Sequence, residues 1–308
     1  MNENLRAQSL RMAVDILGTK GANTEDLFNL SDRLLSYIKK NPLDDIKPVV
    51  TKKDLYSMNY TPEDLLKLKV YTQDPIAFIE ECVHIPHPIK GKVPFKLYDF
   101  QKEIINAYSA DRFVIGNIAR QMGSTSVTAA FFLWWASVKP NQNILILSNK
   151  MAQSMEIMDR IRFAYENIPQ KFKPAVSVYS KQHMQFENGS QFIARAATQD
   201  SGRGLSVDYV WIDGAAYISH KPGRELWMAL QPILSTGGRC ILTSTPYDTD
   251  GFFYDIWHNE KNGFKKVLMP YTRHPERDEE WAKEFRIRLG EEFFQREFEC
   301  KFVPRQPK

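Results

Sequence analysis

Four short stretches hold residue types suited to phosphates, a divalent metal or a purine base. The first is Ala119-Arg-Gln-Met-Gly-Ser-Thr-Ser126, set between an apolar run and a helical one. Gly123 permits a tight turn. The backbone N–H groups of Gln121, Met122, Gly123, Ser124, Thr125 and Ser126 can then face a phosphate at a helix N-terminus. Thr125 or Ser126 offers a hydroxyl to Mg²⁺. Measured against the phosphate-loop pattern, Ile118 stands where the upstream glycine belongs, and Ser124 replaces the lysine that reaches the β/γ-phosphates. By itself the stretch reads equally well as a plain strand–turn–helix corner.

The second stretch, Tyr209 to Ala216, is an apolar run ending in Asp213. A carboxylate there either holds the Mg²⁺ that bridges nucleotide phosphates or caps the turn that follows. The next residue, where a water-orienting glutamate usually stands, is Gly214. The third, Leu242-Thr-Ser-Thr-Pro246, ends an apolar run in three hydroxyls, Thr243, Ser244 and Thr245, suited to sensing a terminal phosphate or to a hydrogen-bonded turn. The fourth pairs Phe100, a stacking face, with Gln101, an amide that can read both a donor and an acceptor on adenine.

Such residues need a scaffold that brings them together, and the hydrophobic pattern describes one. From Phe95 onward, short apolar runs alternate with helical patterns. Phe113–Ala119, Ile144–Leu147, Tyr209–Ile212 and Cys240–Thr243 read as buried strands; the stretch around Phe131–Trp135 and the one through Met155–Tyr165 read as helices. Asn188-Gly189 between two short runs predicts a hairpin. This pattern predicts an α/β fold, a mostly parallel sheet with helices on both faces. Ligands bind such sheets where strands end and helices begin.

Composition narrows the class. The 308 residues are 43% hydrophobic and 25% charged, values of an ordinary globular protein rather than a disordered or fibrous one. A net charge of +4 permits nucleic-acid binding without requiring it. Cys82, Cys240 and Cys300 are far apart and form no Cys-x-x-Cys pair, which predicts reduced thiols in an intracellular protein. The longest apolar run, Val127 to Val138, is too short to span a bilayer, and residues 1–20 lack the apolar core of a signal peptide.

In order and spacing, the four stretches resemble the ATPase domain of the large terminase subunit of tailed bacteriophages. That family's phosphate loop reads Arg-Gln-x-Gly-Lys-Thr, matched by Arg120, Gln121, Met122, Gly123, Ser124 and Thr125. Its acidic strand reads apolar-Asp-Glu-Ala-Ala, matched by Ile212, Asp213, Gly214, Ala215 and Ala216, and its coupling segment is Thr243 to Pro246. Gly251–Trp257 and Glu297–Phe302 also resemble it, so the likeness runs over residues 90–303. The resemblance implies a P-loop fold of the RecA/ASCE-like kind, with ATP and Mg²⁺ as cofactors and hydrolysis that drives double-stranded DNA into a prohead. It implies the portal protein, the small terminase subunit and a pentameric ring of copies as partners. The implied location is the host cytoplasm, with transient docking on the prohead and no place in the mature virion.

Residue roles follow from the same resemblance. Thr125 and Asp213 hold the metal, Phe100 and Gln101 hold adenine, and Thr243 to Thr245 couple loss of the γ-phosphate to movement. Arg120 is an arginine in cis; Arg203, flanked by Gly202 and Gly204, is a candidate finger acting on a neighbouring subunit. Arg195 is a weaker candidate, expected as a surface charge on the hairpin. Lys265, Lys266, Arg273 and Arg277 are possible DNA-phosphate contacts, none of them assigned. Ser124 in place of lysine and Gly214 in place of the catalytic glutamate imply a hydrolysis-defective chain, either an engineered inactive variant or a degenerate relative. Two rivals share some of these features: a superfamily-2-type helicase, and a non-catalytic nucleotide-binding ring component.

The expected organisation is a helical appendage over residues 1–60 and a helical and extended connection over 61–95. The P-loop core with a charged helical tail then occupies 96–308. The family's nuclease domain does not fit into the residues after Phe302.

Overall fold

The computed structural model describes residues 58–304, residue 88 excepted. The expected N-terminal appendage therefore lies almost wholly outside the described residues. Among the described residues, in chain order, the first elements are helices α1 (Pro62–Gln73) and α2 (Pro75–Cys82), then strands β1 (His84–His87) and β2 (Gly91–Pro94). Next come α3 (Asp99–Ala110), β3 (Phe113–Ile118), α4 (Ser124–Val138), β4 (Asn143–Ser148) and α5 (Met151–Glu166). β5 (Val176–Tyr179), β6 (His183–Phe186), β7 (Gln191–Ala196) and β8 (Tyr209–Asp213) follow. The chain closes with α6 (His220–Ser235), β9 (Arg239–Ser244), α7 (Phe252–His258), β10 (Lys265–Met269), α8 (Glu279–Leu289) and α9 (Glu291–Glu297).

The apolar runs assemble into an eight-stranded sheet in the order β10-β3-β9-β8-β4-β7-β6-β5. All neighbours from β10 to β7 are parallel; β6 and β5 add on antiparallel. Alternation along each central strand feeds two cores. Val114, Ile144, Ile146, Tyr209, Trp211 and Ile241 face α3, α4 and α5. Ile115, Leu145, Leu147, Val210, Ile212 and Leu242 face α6 and α7. With both faces covered, the strands are apolar throughout, as a buried parallel sheet requires.

Helix α4 is apolar all round because it is wrapped all round. Phe132 stacks on Trp211 at 5.6 Å and meets Tyr209 edge-on at 4.8 Å. Trp134 Nε1 donates to the Tyr71 carbonyl at the end of α1. Burying side chains of this size stabilises by roughly 2 kcal/mol each, so the start of α4 is held on a rigid post.

Residues 61–95 share that core rather than merely leading to it, since Tyr71, Phe78, Ile79 and Cys82 pack within it. Thr61 and Asp64 form a capping box at the start of α1, and Asp74 caps α2 through the N–H groups of Ile76 and Ala77. The extended connection expected near Pro86 and Pro94 is a short antiparallel hairpin. Strand β10 was not expected: Lys265 and Lys266 open it, and it lies along the edge of β3. The three cysteines are free and buried, and among the described residues no helix is long and apolar enough to cross a membrane.

Candidate functional site

Strands β3, β9 and β8 are adjacent, and their C-terminal ends carry three of the four stretches singled out from the sequence. Beyond β3 the chain must reverse within a few residues before α4 begins. Gln121 (φ 59°) and Gly123 (φ 74°) adopt the left-handed conformation to do so. A Cβ at Gly123 would lie 2.9 Å from Gln101 Nε2, so both dihedral and space require glycine there. A left-handed glutamine is a mild strain of the kind that collects at functional loops.

Beneath this loop two side chains converge on Asp213, and a third supports one of them. Thr243 Oγ1 donates to Oδ1 at 2.7 Å, and Thr125 Oγ1 donates to Oδ2 at 3.2 Å. Trp211 Nε1 in turn donates to Thr243 Oγ1 at 3.0 Å. Asp213 is thus not a helix cap; the turn after it is capped by Gly214 without a side-chain bond. Its pKa lies above the ordinary carboxylate value because burial penalises the charge. The two hydroxyls, the Arg160 guanidinium and the Gly214 backbone N–H oppose that rise.

The two departures from the family's motifs, Ser124 in the loop and Gly214 after the acidic strand, sit at the rim. Ser124 is the first residue of α4 and is half-buried. Gly214 is left-handed (φ 66°), and a Cβ added there would meet nothing within 4 Å. Ser126 Oγ accepts from Arg160 Nη1 at 3.3 Å.

Gln101 and Phe100 brace the loop. Gln101 Nε2 donates to the Met122 carbonyl at 3.0 Å, while its Oε1 accepts from the Tyr98 N–H at 3.1 Å. Phe100 is buried and stacks on Tyr98. The aromatic surfaces beside it that keep some exposure are Tyr98 and His274, 4.8 Å apart.

Two residues of the C-terminal tail belong to the site in roles the sequence did not suggest: Glu297, read only as the start of the Glu297–Phe302 likeness, and Arg277, considered only as a DNA contact. Glu297 is 5% exposed; it accepts from Tyr217 Oη at 2.6 Å and Thr245 Oγ1 at 3.2 Å, and faces Arg120 Nε at 3.8 Å. Its carbonyl also accepts from the Arg120 N–H at 2.7 Å. Arg277 donates to the carbonyls of Arg120 and Gln121 while stacking on Trp281. One signal for Glu297 was available: it lies between Phe294 and Phe298 on the buried side of α9. A carboxylate on an apolar face needs partners.

Other candidates lie apart. Arg203 is exposed in a turn and pairs with Asp200 at 3.0 Å, touching none of these residues. Arg195 is not a hairpin surface charge: its Nη1 donates to the Ser201 carbonyl and fixes that turn. Of the cations considered for DNA, Lys266 pairs with Glu260, Arg273 with Glu103, and Arg277 is committed to the loop. A cavity of about 540 Å³ between α6 and α7, lined by Phe113, Trp227, Met228, Phe252 and Phe264, contains no residue of the four stretches.

Residues 115–305 match the family model described as terminase large subunit, T4likevirus-type, N-terminal. The chain belongs to the terminase large-subunit family. Solved structures agree at the level of fold. The large terminase ATPase domain of Thermus phage P74-26 is 20% identical with a TM-score of 0.56, over 68% of this chain and 95% of that one. The large terminase of a thermophilic bacteriophage, solved in complex with ADP, is 12% identical with a TM-score of 0.55, over 67% of this chain and 54% of that one. The HK97 large terminase is 20% identical with a TM-score of 0.53, over 65% of this terminase chain and 43% of the HK97 protein. The chain thus has the fold of a terminase ATPase domain and spans about half the length of the longer relatives.

Proposed function

We propose that this chain is the nucleotide-binding motor portion of a phage packaging machine that moves double-stranded DNA into a prohead, and that hydrolysis by it is impaired. The observation that carries the reading is the hydrogen-bonded set Thr125–Asp213–Thr243 lying directly beneath the loop. The donor chemistry fits the cofactor. A hydroxyl and a carboxylate 3.2 Å apart suit Mg²⁺, which keeps few protein ligands and shares phosphate oxygens. Among the described residues no cluster of three or more His, Cys, Asp or Glu forms an all-protein cage.

In this reading Mg²⁺-ATP, when bound, supplies the phosphoanhydride and the metal's charge. The loop N–H groups from Gln121 to Ser126 grip the phosphates at the positive end of α4. Thr125 and Asp213 hold the metal, for which their hydrogen bond must loosen. Thr243 bonds the same carboxylate, so a change at Asp213 passes to the Thr243–Thr245 segment and through Thr245 to Glu297. Arg120 is the cis arginine, Arg203 the candidate finger for a neighbouring copy in a pentameric ring, and Gln101 and Phe100 shape the adenine side from behind the loop. DNA, the portal protein and the small terminase subunit are the partners, met in the host cytoplasm and on the prohead. With Ser124 the phosphates lack a cation from the loop, and with Gly214 the attacking water lacks an orienting carboxylate.

Ser124 and Gly214 also favour a second reading, a ring component that binds nucleotide without turning it over. Calorimetric titration of Mg²⁺-ATP tests the common ground. Weak binding by this chain, tightened by Ser124→Lys, is expected. Equal affinity for both forms removes the phosphate-loop assignment.

A further inference from the structure

Ser124 leaves the loop without a lysine, yet three guanidinium groups stand near it. Arg120 faces the Glu297 carboxylate, and Arg277 is committed to two loop carbonyls. Arg160 differs from both. It reaches over from α5, is exposed, and donates through Nη1 to Ser126 Oγ at 3.3 Å. Among the described residues it forms no ion pair, whereas Arg162, two positions along the same helix, holds Asp159.

That placement is electrostatically odd. The first turn of α4 is the positive end of a helix dipole, which repels a guanidinium and attracts an anion. Arg160 bonds Ser126 there rather than pairing with Glu156, four residues back on its own helix. Asp213 offsets part of the repulsion, since Arg160 favours its ionised form. A phosphate gripped by the same helix end would offset the remainder, and a guanidinium is well shaped to pair with one.

We propose that Arg160 supplies to the nucleotide phosphates the positive charge that Ser124 withholds. The inference rests on the phosphate-loop reading above and adds a phosphate-binding residue from a different helix. It makes the two positions substitutes: a lysine at 124 renders Arg160 largely redundant.

A double-mutant cycle on the full chain, read as Mg²⁺-ATP affinity by calorimetry, tests this. Arg160→Ala should weaken binding about 10-fold or more, the scale of a charge-assisted hydrogen bond. Arg160→Lys should recover part of the loss. In the Ser124→Lys background the same Arg160→Ala change should cost less than about 3-fold, because the charge is already present. Equal losses in both backgrounds, or no loss in either, overturn the inference. If Arg160 only counters Asp213, melting temperature changes while ATP affinity does not, and that too overturns it. Binding by Ser124→Lys but not by the parent chain defeats Arg160 alone. Absence of binding in both, with circular dichroism showing both folded, defeats the phosphate-loop reading itself.

Discussion

The floor and the rim of the crevice differ in what their side chains hold. On the floor, Asp213, Thr243, Trp211 and Thr125 satisfy one another in a closed set of hydrogen bonds, and Glu297 gathers Tyr217, Thr245 and Arg120 beside it. Removing any one leaves a buried polar group without its partner, which costs stability as well as chemistry. On the rim, position 124 starts a helix and position 214 opens onto empty space. A side chain there serves a ligand and little else. The departures from the terminase pattern fall only on the rim, where the fold tolerates them. Under the proposed reading, chemistry would be lost from this site without loss of structure.

The largest expected effect tests the rim. Ser124→Lys with Gly214→Glu should raise ATP hydrolysis by about 10²-fold or more, the scale of a restored general base or electrostatic stabiliser. Phosphate release is the measurement. Position 214 has room for the side chain, although its left-handed backbone adds mild strain. Ser124→Lys alone should improve binding with little turnover. A double variant that binds Mg²⁺-ATP and stays inert makes the rim irrelevant and favours the non-catalytic reading.

The next effect tests the floor. Glu297→Ala strips the Tyr217 and Thr245 hydroxyls of their acceptor and leaves Arg120 without its carboxylate. A loss of about 2–3 kcal/mol is expected, seen as a fall in Tm of roughly 5–10 °C. A Tm within a degree of the parent would place Glu297 with the rim residues instead.

The smallest effect is the most diagnostic, because its sign runs against intuition. Asp213 has a raised pKa in the folded chain, so the folded state holds its proton more tightly than the unfolded one. Stability from this group is present in acid and is lost as pH rises from the ordinary value of 3.8 through the raised folded value. Asp213→Asn should therefore raise Tm near neutral pH, by roughly 2–4 °C for each kcal/mol recovered, and the gain should shrink as pH falls toward 3.8. A gain that is constant with pH would mean that packing, not charge, sets the cost of the floor.

Much of the fold was legible because buried parallel strands announce themselves. Runs such as Ile144–Leu147 and Tyr209–Ile212 have no polar side to hide, and they became β4 and β8. β10 was illegible because an edge strand can carry lysines, and Lys265 and Lys266 look like a charge run until β3 is seen beside them. Asp213, Thr125 and Thr243 could be picked out by type and spacing, although about 88 residues separate Thr125 from Asp213 along the chain. Gln101 could be picked out too, but not what its amide does, since an amide that can read adenine can equally bond the Met122 carbonyl.

The sequence by itself determined the architecture and the list of chemical parts: apolar periodicity has only a few packed solutions, and motif spacing is a property of the chain. Tertiary structure alone decided which parts meet. Arg277 and Glu297 reach the loop, and Arg160 reaches Ser126, because the sheet order and the return of the tail bring distant segments within hydrogen-bond range. Hydrogen bonds and charge pairs act over a few ångströms, and a one-dimensional chain carries no record of which of its many polar groups will end at that distance.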